Sequence, residues 1–272
     1  MLQEINPVIT QNMDAWNEVA KRHFSINRDT VIGNLQTPGY FIDTVLKQEL
    51  LRRPVGALTV GQFNCNNGRE TISAHQLGFK NAVGFDFSKE FVEQGSHYAR
   101  EVGVSTQFVE TDIYKIGAEH ANSVDHLFAT AGALCWMPDL DTYFDIAFRT
   151  LSVGGCLTLW ETHPCLEMFK PDRDRKRDGD ERLEMHYSYF MDEPVDYQSG
   201  LDYYSNEIFG KKSVLWYHHK LSDIFTAILK AGFSIQRFNE YDVDNSIGYR
   251  EVENFEIRPP MSFILTAVKQ TS

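Results

Sequence analysis

The stretch VGALTVGQFNCNNGRETISAHQLGFKNAVGFDFS, residues 55–88, decides the fold. Val55 to Phe63 is a short run of β-branched and apolar residues and predicts a first strand. The polar turn Asn64-Cys65-Asn66-Asn67-Gly68 interrupts it, a helical pattern runs from Arg69 to Leu77, and Ala82 to Phe87 predicts a second strand. A strand, a crossover helix and a second strand form a right-handed βαβ unit, so these two strands lie parallel in one sheet. Ser88 then supplies an N-cap for a helix whose Phe91, Gly95, Tyr98 and Val102 keep helical spacing.

The same rhythm extends downstream. Thr106 to Glu110 predicts a third strand and Asp125 to Thr130 a fourth. Asp139 opens a helix with Leu140, Phe144, Ala147 and Leu151 on one face, and the turn Gly154-Gly155 feeds a fifth strand from Cys156 to Glu161. Near the end, Leu221, Ile224, Phe225, Ile228 and Leu229 line a helix closed by Gly232. Two strands, Phe233 to Tyr241 and Met261 to Val268, follow with no helix between them, which predicts an antiparallel pair at the sheet edge. The expected fold is α/β: a doubly wound seven-stranded sheet, mostly parallel with an antiparallel last strand.

Two regions stand outside that rhythm. Residues 1–50 are expected to be a helical cap, with Met13, Trp16, Ala20 and Phe24 on one stripe. Residues 163–219 form an insertion after strand five. It holds a charge run from Asp172 to Glu184 and then a density of aromatic residues, with Leu201 to Ile208 and Ser213 to Tyr217 placed to pair as a hairpin. With no repeats and no low-complexity linker, residues 1–272 are expected to be a single domain: cap, core at 55–162, insertion at 163–219, and helix plus strand pair at 220–272.

Composition narrows the function. Of the 272 residues 42% are hydrophobic and 13% aromatic, which is ample for a packed core. The formal net charge of -12 disfavours a nucleic-acid partner, because the phosphate backbone repels an acidic surface. Cys65, Cys135, Cys156 and Cys165 form no C-x-x-C pair and no metal-ligand cluster, so neither a disulfide framework nor a metal site is expected. Met1 to Ala20 lacks the apolar run of a signal peptide and no stretch is long and apolar enough to span a bilayer, so the cytoplasm is the expected compartment, with the chain a monomer or homodimer.

In open parallel sheets the ligand lies beyond the carboxyl ends of the strands. There the chain offers the turn Gln62 to Gly68, Asp86 about twenty residues on, where an acid accepts hydrogen bonds from ribose hydroxyls, and Asp112 just past strand three. Together these describe an adenosine pocket. A pyrophosphate-binding turn wants G-x-G-x-x-G, whereas Asn64, Asn66 and Asn67 stand here, which disfavours an NAD-dependent oxidoreductase. S-adenosylmethionine carries no phosphate, and its turn tolerates the single late glycine Gly68. The asparagines read equally as a turn, since Asn tolerates left-handed backbone, or as amides facing the methionine carboxylate.

The segment from Val55 to Pro164 resembles class I S-adenosylmethionine-dependent methyltransferases, closest to a bacterial small-molecule branch with a degenerate first motif. The resemblance is carried by Gln62 to Gly68, Gly84-Phe85-Asp86-Phe87-Ser88, Thr111-Asp112-Ile113, Gly132 to Leu140, Gly154-Gly155, Trp160-Glu161-Thr162-His163-Pro164, and His219 to Ile224. The family's acid at the start of the turn is Gln62 here. The resemblance implies a Rossmann-like sheet and a cofactor site of Gln62, Asn64, Cys65, Asn66, Gly68, Asp86, Phe87, Asp112, Ile113 and Ala129. It also implies S-adenosyl-L-methionine as cofactor, S-adenosyl-L-homocysteine as product, and a small-molecule methyl acceptor. A non-catalytic binding or regulatory relative is the alternative. Cys65 also reads as a small packing residue.

Methyl transfer is an in-line displacement in which alignment and exclusion of water dominate and a general base is optional. The acceptor is expected over strands four and five, beneath the insertion. His163 and His219 are the candidate bases, each with a structural or capping role as the other reading. Trp136 is either a wall of the methyl channel or a core aromatic. Tyr187, Tyr204 and Tyr217 are candidate acceptor contacts. With Tyr189, Phe190, Tyr197 and Tyr203 they suggest an aromatic lid that favours a flat or cationic acceptor.

Overall fold

The computed structural model describes residues 2–175, 183–198, 201 and 213–270. Nine strands and six α-helices alternate through it. They are α1 (Leu2–Leu35), α2 (Thr44–Leu50), β1 (Thr59–Phe63), α3 (Arg69–Gln76), β2 (Asn81–Asp86), α4 (Lys89–Glu101), β3 (Gln107–Glu110) and β4 (Val124–Thr130). Then come α5 (Leu140–Thr150), β5 (Leu151–Thr162), β6 (Val195–Tyr197), β7 (Val214–Trp216), α6 (Leu221–Lys230), β8 (Phe233–Tyr241) and β9 (Ser262–Lys269). Seven strands form one sheet in the order β3-β2-β1-β4-β5-β9-β8. β1 to β5 pair in parallel, and β9 enters antiparallel between β5 and β8. The strand order reverses at β1, which puts the switch point beside β4, where the first turn opens.

Alternation along the strands builds a core on each face. Phe63, Leu127, Ala129, Leu157, Leu159, Phe263 and Leu265 face α5 and α6, while Val60, Phe128, Trp160 and Ile264 face α2 and α3. A period of two sends neighbouring residues to opposite faces, so both faces are apolar and both are covered. The helices start as expected: Ser88 Oγ accepts from the Phe91 amide at 3.3 Å and Asp139 Oδ1 from the Thr142 amide at 3.0 Å. Each such cap stabilises its helix by about 1 kcal/mol.

Three boundaries differ from expectation. Val55 to Leu58 is a tight turn closed by the Leu58 amide on the Val55 carbonyl (2.9 Å), so β1 begins at Thr59. β5 begins at Leu151, directly at the end of α5. Gly154 and Gly155 therefore lie inside the strand, where the pairing with β4 is irregular and Gly154 takes φ 75°. Val214–Trp216 pairs antiparallel with Val195–Tyr197, the register running Val195 to Trp216, a partner the sequence did not indicate. Residues 202–212, on which the other half of the expected hairpin fell, lie outside the described residues.

Candidate functional site

The turn after β1 shows why asparagines serve where glycines were expected. Asn64, Asn66 and Gly68 take φ of 52°, 51° and 73°, so every second residue is left-handed. Asn is the side-chain-bearing residue that best tolerates this conformation. Gly68 has a second constraint, because a Cβ there would come within 2.2 Å of the Phe108 ring. The turn carries the chain over β2 and ends in α3, with Gly68 as N-cap.

Asp86 closes β2 beside this turn. It is buried, and its two oxygens accept from the backbone amides of Asn66 (2.8 Å) and Ser88 (2.9 Å). Burial nevertheless lifts its carboxyl to about 7. Each oxygen keeps a second lone pair for a further donor. Asn64, Phe87, Asp112 and Ile113, all expected to bind cofactor, line one narrow cleft together with Trp136, Met137, Ile9 and Asn12. Asp112 is held by its own turn, accepting from the Tyr114 amide at 3.0 Å.

Gln62 is buried and leads to a carboxylate that the sequence reading missed. Its amide nitrogen donates to Glu70 Oε2 (2.8 Å), the Thr71 hydroxyl donates to Gln62 Oε1 (2.6 Å), and the Thr130 hydroxyl donates to the same Glu70 Oε2 (2.7 Å). An acid eight residues downstream, in the first turn of α3, thus stands where the strand-end acid is absent. Of the ten expected cofactor residues, Asn64, Phe87, Asp112 and Ile113 line the cleft, and Cys65 and Ala129 point elsewhere. Cys65 Sγ lies against Gly84, and Ala129 faces the main core, because the alternation of β4 presents Thr130 instead.

The acceptor side departs further from expectation. His163 is buried with both ring nitrogens engaged: Nδ1 accepts from the Cys165 amide (3.0 Å) and Nε2 donates to Glu240 (2.9 Å). No nitrogen remains to take a proton, so His163 is a structural link to β8. His219 donates Nε2 to the Met137 carbonyl at 2.9 Å and stacks on Tyr217, which ties the loop after β4 to the start of α6. Burial lowers its pKa. Neither His218 nor His219 caps α6, whose N-cap is Lys220. Trp136 both lines the cleft and packs edge-on against Trp16 of α1 at 5.5 Å. Tyr187 contacts Trp216 and His218, and the Tyr217 amide donates to the Cys135 carbonyl at 2.8 Å. Tyr204 lies outside the described residues.

Glu161 organises the loop after β4. Buried at the end of β5, it accepts from the backbone amides of Gly132 (3.0 Å), Ala133 (3.1 Å) and Leu134 (2.9 Å), while burial raises its carboxyl to about 7. Glu167, in the turn Leu166–Met168, is raised well above the usual range by burial and by Glu161. Among the described residues no group of His, Cys, Asp and Glu is placed to hold a metal ion, and no helix is long and apolar enough to cross a membrane.

Residues 62–159 match the family model described as a methyltransferase domain. No curated protein matches the sequence. Solved structures share the fold. An S-adenosylmethionine-dependent methyltransferase from Mesorhizobium loti aligns at TM-score 0.61 and 20% identity over 81% of this chain and 94% of that one. One from Methanosarcina mazei aligns at 0.58 and 14% over 85% and 99%. A geranyl diphosphate C-methyltransferase from Streptomyces coelicolor A3(2), solved with Mg2+, geranyl diphosphate and S-adenosyl-L-homocysteine, aligns at 0.53 and 12% over 82% and 76%.

Proposed function

We propose that this chain, which carries a class I S-adenosylmethionine-dependent methyltransferase domain, transfers the methyl group of S-adenosyl-L-methionine to a small-molecule acceptor by in-line displacement. The observation that carries this reading is the meeting of Asn64, Phe87, Asp112 and Ile113 with Trp136 and Met137 in one cleft, beside Asp86 and the left-handed turn. The fit to the cofactor is chemical as well as positional. Asp86 has lone pairs left for the two ribose hydroxyls, Asp112 and Ile113 flank the adenine, and the turn brings backbone close to the amino-acid moiety. Glu70, fixed by Gln62 and Thr130, holds the methionine ammonium. When bound, the cofactor supplies an electrophilic methyl group and a sulfur leaving group. The chain supplies position and dryness: Trp136 and Met137 wall the reacting end, and Ile9 and Asn12 of α1 roof it. That enclosure supports a small acceptor over a macromolecule. Since both His163 nitrogens and His219 Nε2 are committed to other groups, the reading relies on alignment for the rate.

Calorimetric titration with S-adenosylmethionine and S-adenosylhomocysteine tests it. Both are expected to bind with an affinity on the order of micromolar, and Asp86→Ala is expected to abolish binding while the protein stays folded. Binding of neither ligand would return the chain to the non-catalytic alternative.

A further inference from the structure

Asn64 is where the cleft meets the hydrophobic core. It stands just past β1 with a left-handed backbone, φ 52°, and its side chain is pinned at both ends. The Tyr143 hydroxyl of α5 donates to Asn64 Oδ1 at 3.3 Å, and Asn64 Nδ2 donates to Met137 Sδ at 3.5 Å. Met137 is itself tied down, its carbonyl accepting from His219 Nε2 at 2.9 Å. Turning the carboxamide over would break both of its bonds, so they fix which end is oxygen and which is nitrogen.

The Tyr143 ring belongs to the core, and its hydroxyl belongs to the cleft. Tyr143 is fully buried, with Phe63 and Phe144 packed edge-on against it at centroid distances of 5.6 and 5.3 Å. A phenylalanine would fill that space and leave no polar atom to pair, so the hydroxyl answers to its partner rather than to packing. Burial pushes the hydroxyl well above the ordinary tyrosine value, which keeps it protonated and a donor. Asn64 Nδ2 carries two protons and Met137 uses one, so a second N–H remains for the cleft that Asn64 lines. An anionic acceptor gains most from such a donor. Among the described residues lining the cleft there is no lysine or arginine to meet an anion, and the other carboxamide, Asn12, is committed to Leu215 at both ends.

We propose that Tyr143 is a positioning residue for the cofactor: its hydroxyl locks the Asn64 carboxamide in the orientation that presents an N–H to the carboxylate of the methionine moiety. The proposal rests on the cofactor reading above and completes it. A zwitterion needs an acceptor for its ammonium and a donor for its carboxylate. Glu70, held by Gln62, is the acceptor, and Asn64, two residues after Gln62, is the donor. With Tyr143 in place the amide cannot turn its oxygen towards the carboxylate, which would repel it. The orientation is set before the ligand arrives, so binding does not bear the cost of ordering it.

Binding decides this without turnover. The full chain is titrated calorimetrically with S-adenosylhomocysteine, with its decarboxylated form, which keeps the ammonium, and with methylthioadenosine, which carries neither charge. Tyr143→Phe keeps the ring and is expected to weaken S-adenosylhomocysteine about threefold to tenfold while the other two stay within about twofold. Asn64→Gly, which accepts the left-handed backbone, is expected to weaken it about tenfold or more with the same selectivity. In the double variant, Tyr143→Phe is expected to add nothing to the loss from Asn64→Gly, because the hydroxyl acts through the carboxamide. An unchanged affinity in Tyr143→Phe, a loss shared by all three ligands, or a loss that adds to that of Asn64→Gly would overturn the proposal while the cofactor reading stands. Failure of the parent to bind any of the three would overturn the cofactor reading, and the proposal with it.

Discussion

In the cofactor site proposed above, Glu70 supplies the carboxylate that the turn itself lacks. Gln62 stands where the family has an acid, yet its side chain is consumed as a bracket: one end accepts from Thr71 and the other donates to Glu70. Glu70 Oε2 takes bonds from both Gln62 and Thr130. A charge-assisted bond from an ammonium to such a fixed carboxylate is worth about 1.5–3 kcal/mol. Glu70→Gln is therefore expected to weaken S-adenosylhomocysteine by about tenfold to a hundredfold. It should leave methylthioadenosine, which lacks the amino-acid moiety, unaffected. The double variant Gln62→Glu with Glu70→Gln should recover part of the loss by restoring the acid at the strand end. Equal weakening of both ligands in Glu70→Gln would make Glu70 a structural support of the turn. This carboxylate was hidden in the sequence because it lies on the helix after the motif, and only the fold brings it back over β1. The asparagines were readable to the point of tolerating left-handed backbone; the alternation at Asn64, Asn66 and Gly68 needed coordinates.

At the scale of elements, α1 and β7 act together as a roof. Asn12 presents its side-chain amide to β7 as a strand would, donating to the Leu215 carbonyl and accepting from the Leu215 amide, both at 3.0 Å. Gln11 adds a bond to the Ser213 carbonyl at 2.8 Å. Asn12 also lines the cleft, so this seam borders the proposed cofactor site. Asn12→Ala removes both bonds and leaves the Leu215 groups unpaired, a local cost of about 1–3 kcal/mol. The expected result is faster S-adenosylhomocysteine release in stopped-flow measurement, about tenfold or more, with the global melting temperature little changed. An unchanged release rate would separate the seam from ligand exit. Periodicity revealed the sheet strands and their helices because each has an apolar face whose period matches its element, as in Phe233–Tyr241, which lies where the sequence placed it. It could not reveal the partner of Val214–Trp216: three-residue strands carry too little alternation, and their pairing rests on contacts to α1 from two hundred residues away. The same distance explains why the sequence left His163 open between a base and a structural role. Its partner, Glu240, belongs to a strand that joins β5 only through β9.

Across the whole molecule, buried acids and buried histidines oppose each other in one pH window. Burial holds Asp86 and Glu161 at about 7, above their ordinary values of 3.8 and 4.5, so each keeps a proton in the fold that it has lost in the unfolded chain. Their contribution is greatest below the unfolded values and is lost as pH rises towards 7. Burial holds His126 and His218 at about 4, below 6.5, so the unfolded chain takes up protons first and stability is lost as pH falls from about 6.5 towards 4. Between about 4.5 and 6.5 the unfolded chain therefore carries two extra protons on histidines and lacks two on acids, and for these four groups the slopes cancel. Removing one member exposes the other side. In Glu161→Gln the melting temperature, relative to the parent, is expected to climb across that window. One proton over about two pH units, at about 2 °C per kcal/mol for a chain of this size, gives about 5 °C. In His126→Gln the relative melting temperature is expected to fall by a similar amount over the same window. Curves that run parallel to the parent in both variants would mean that these groups titrate normally in the fold. Saturating S-adenosylhomocysteine adds a check on the site itself, because ribose hydroxyls that donate to Asp86 favour its ionised form. Binding should then release a proton near neutral pH, seen as a calorimetric enthalpy that changes with the buffer's ionisation enthalpy, and Asp86→Asn should abolish that dependence.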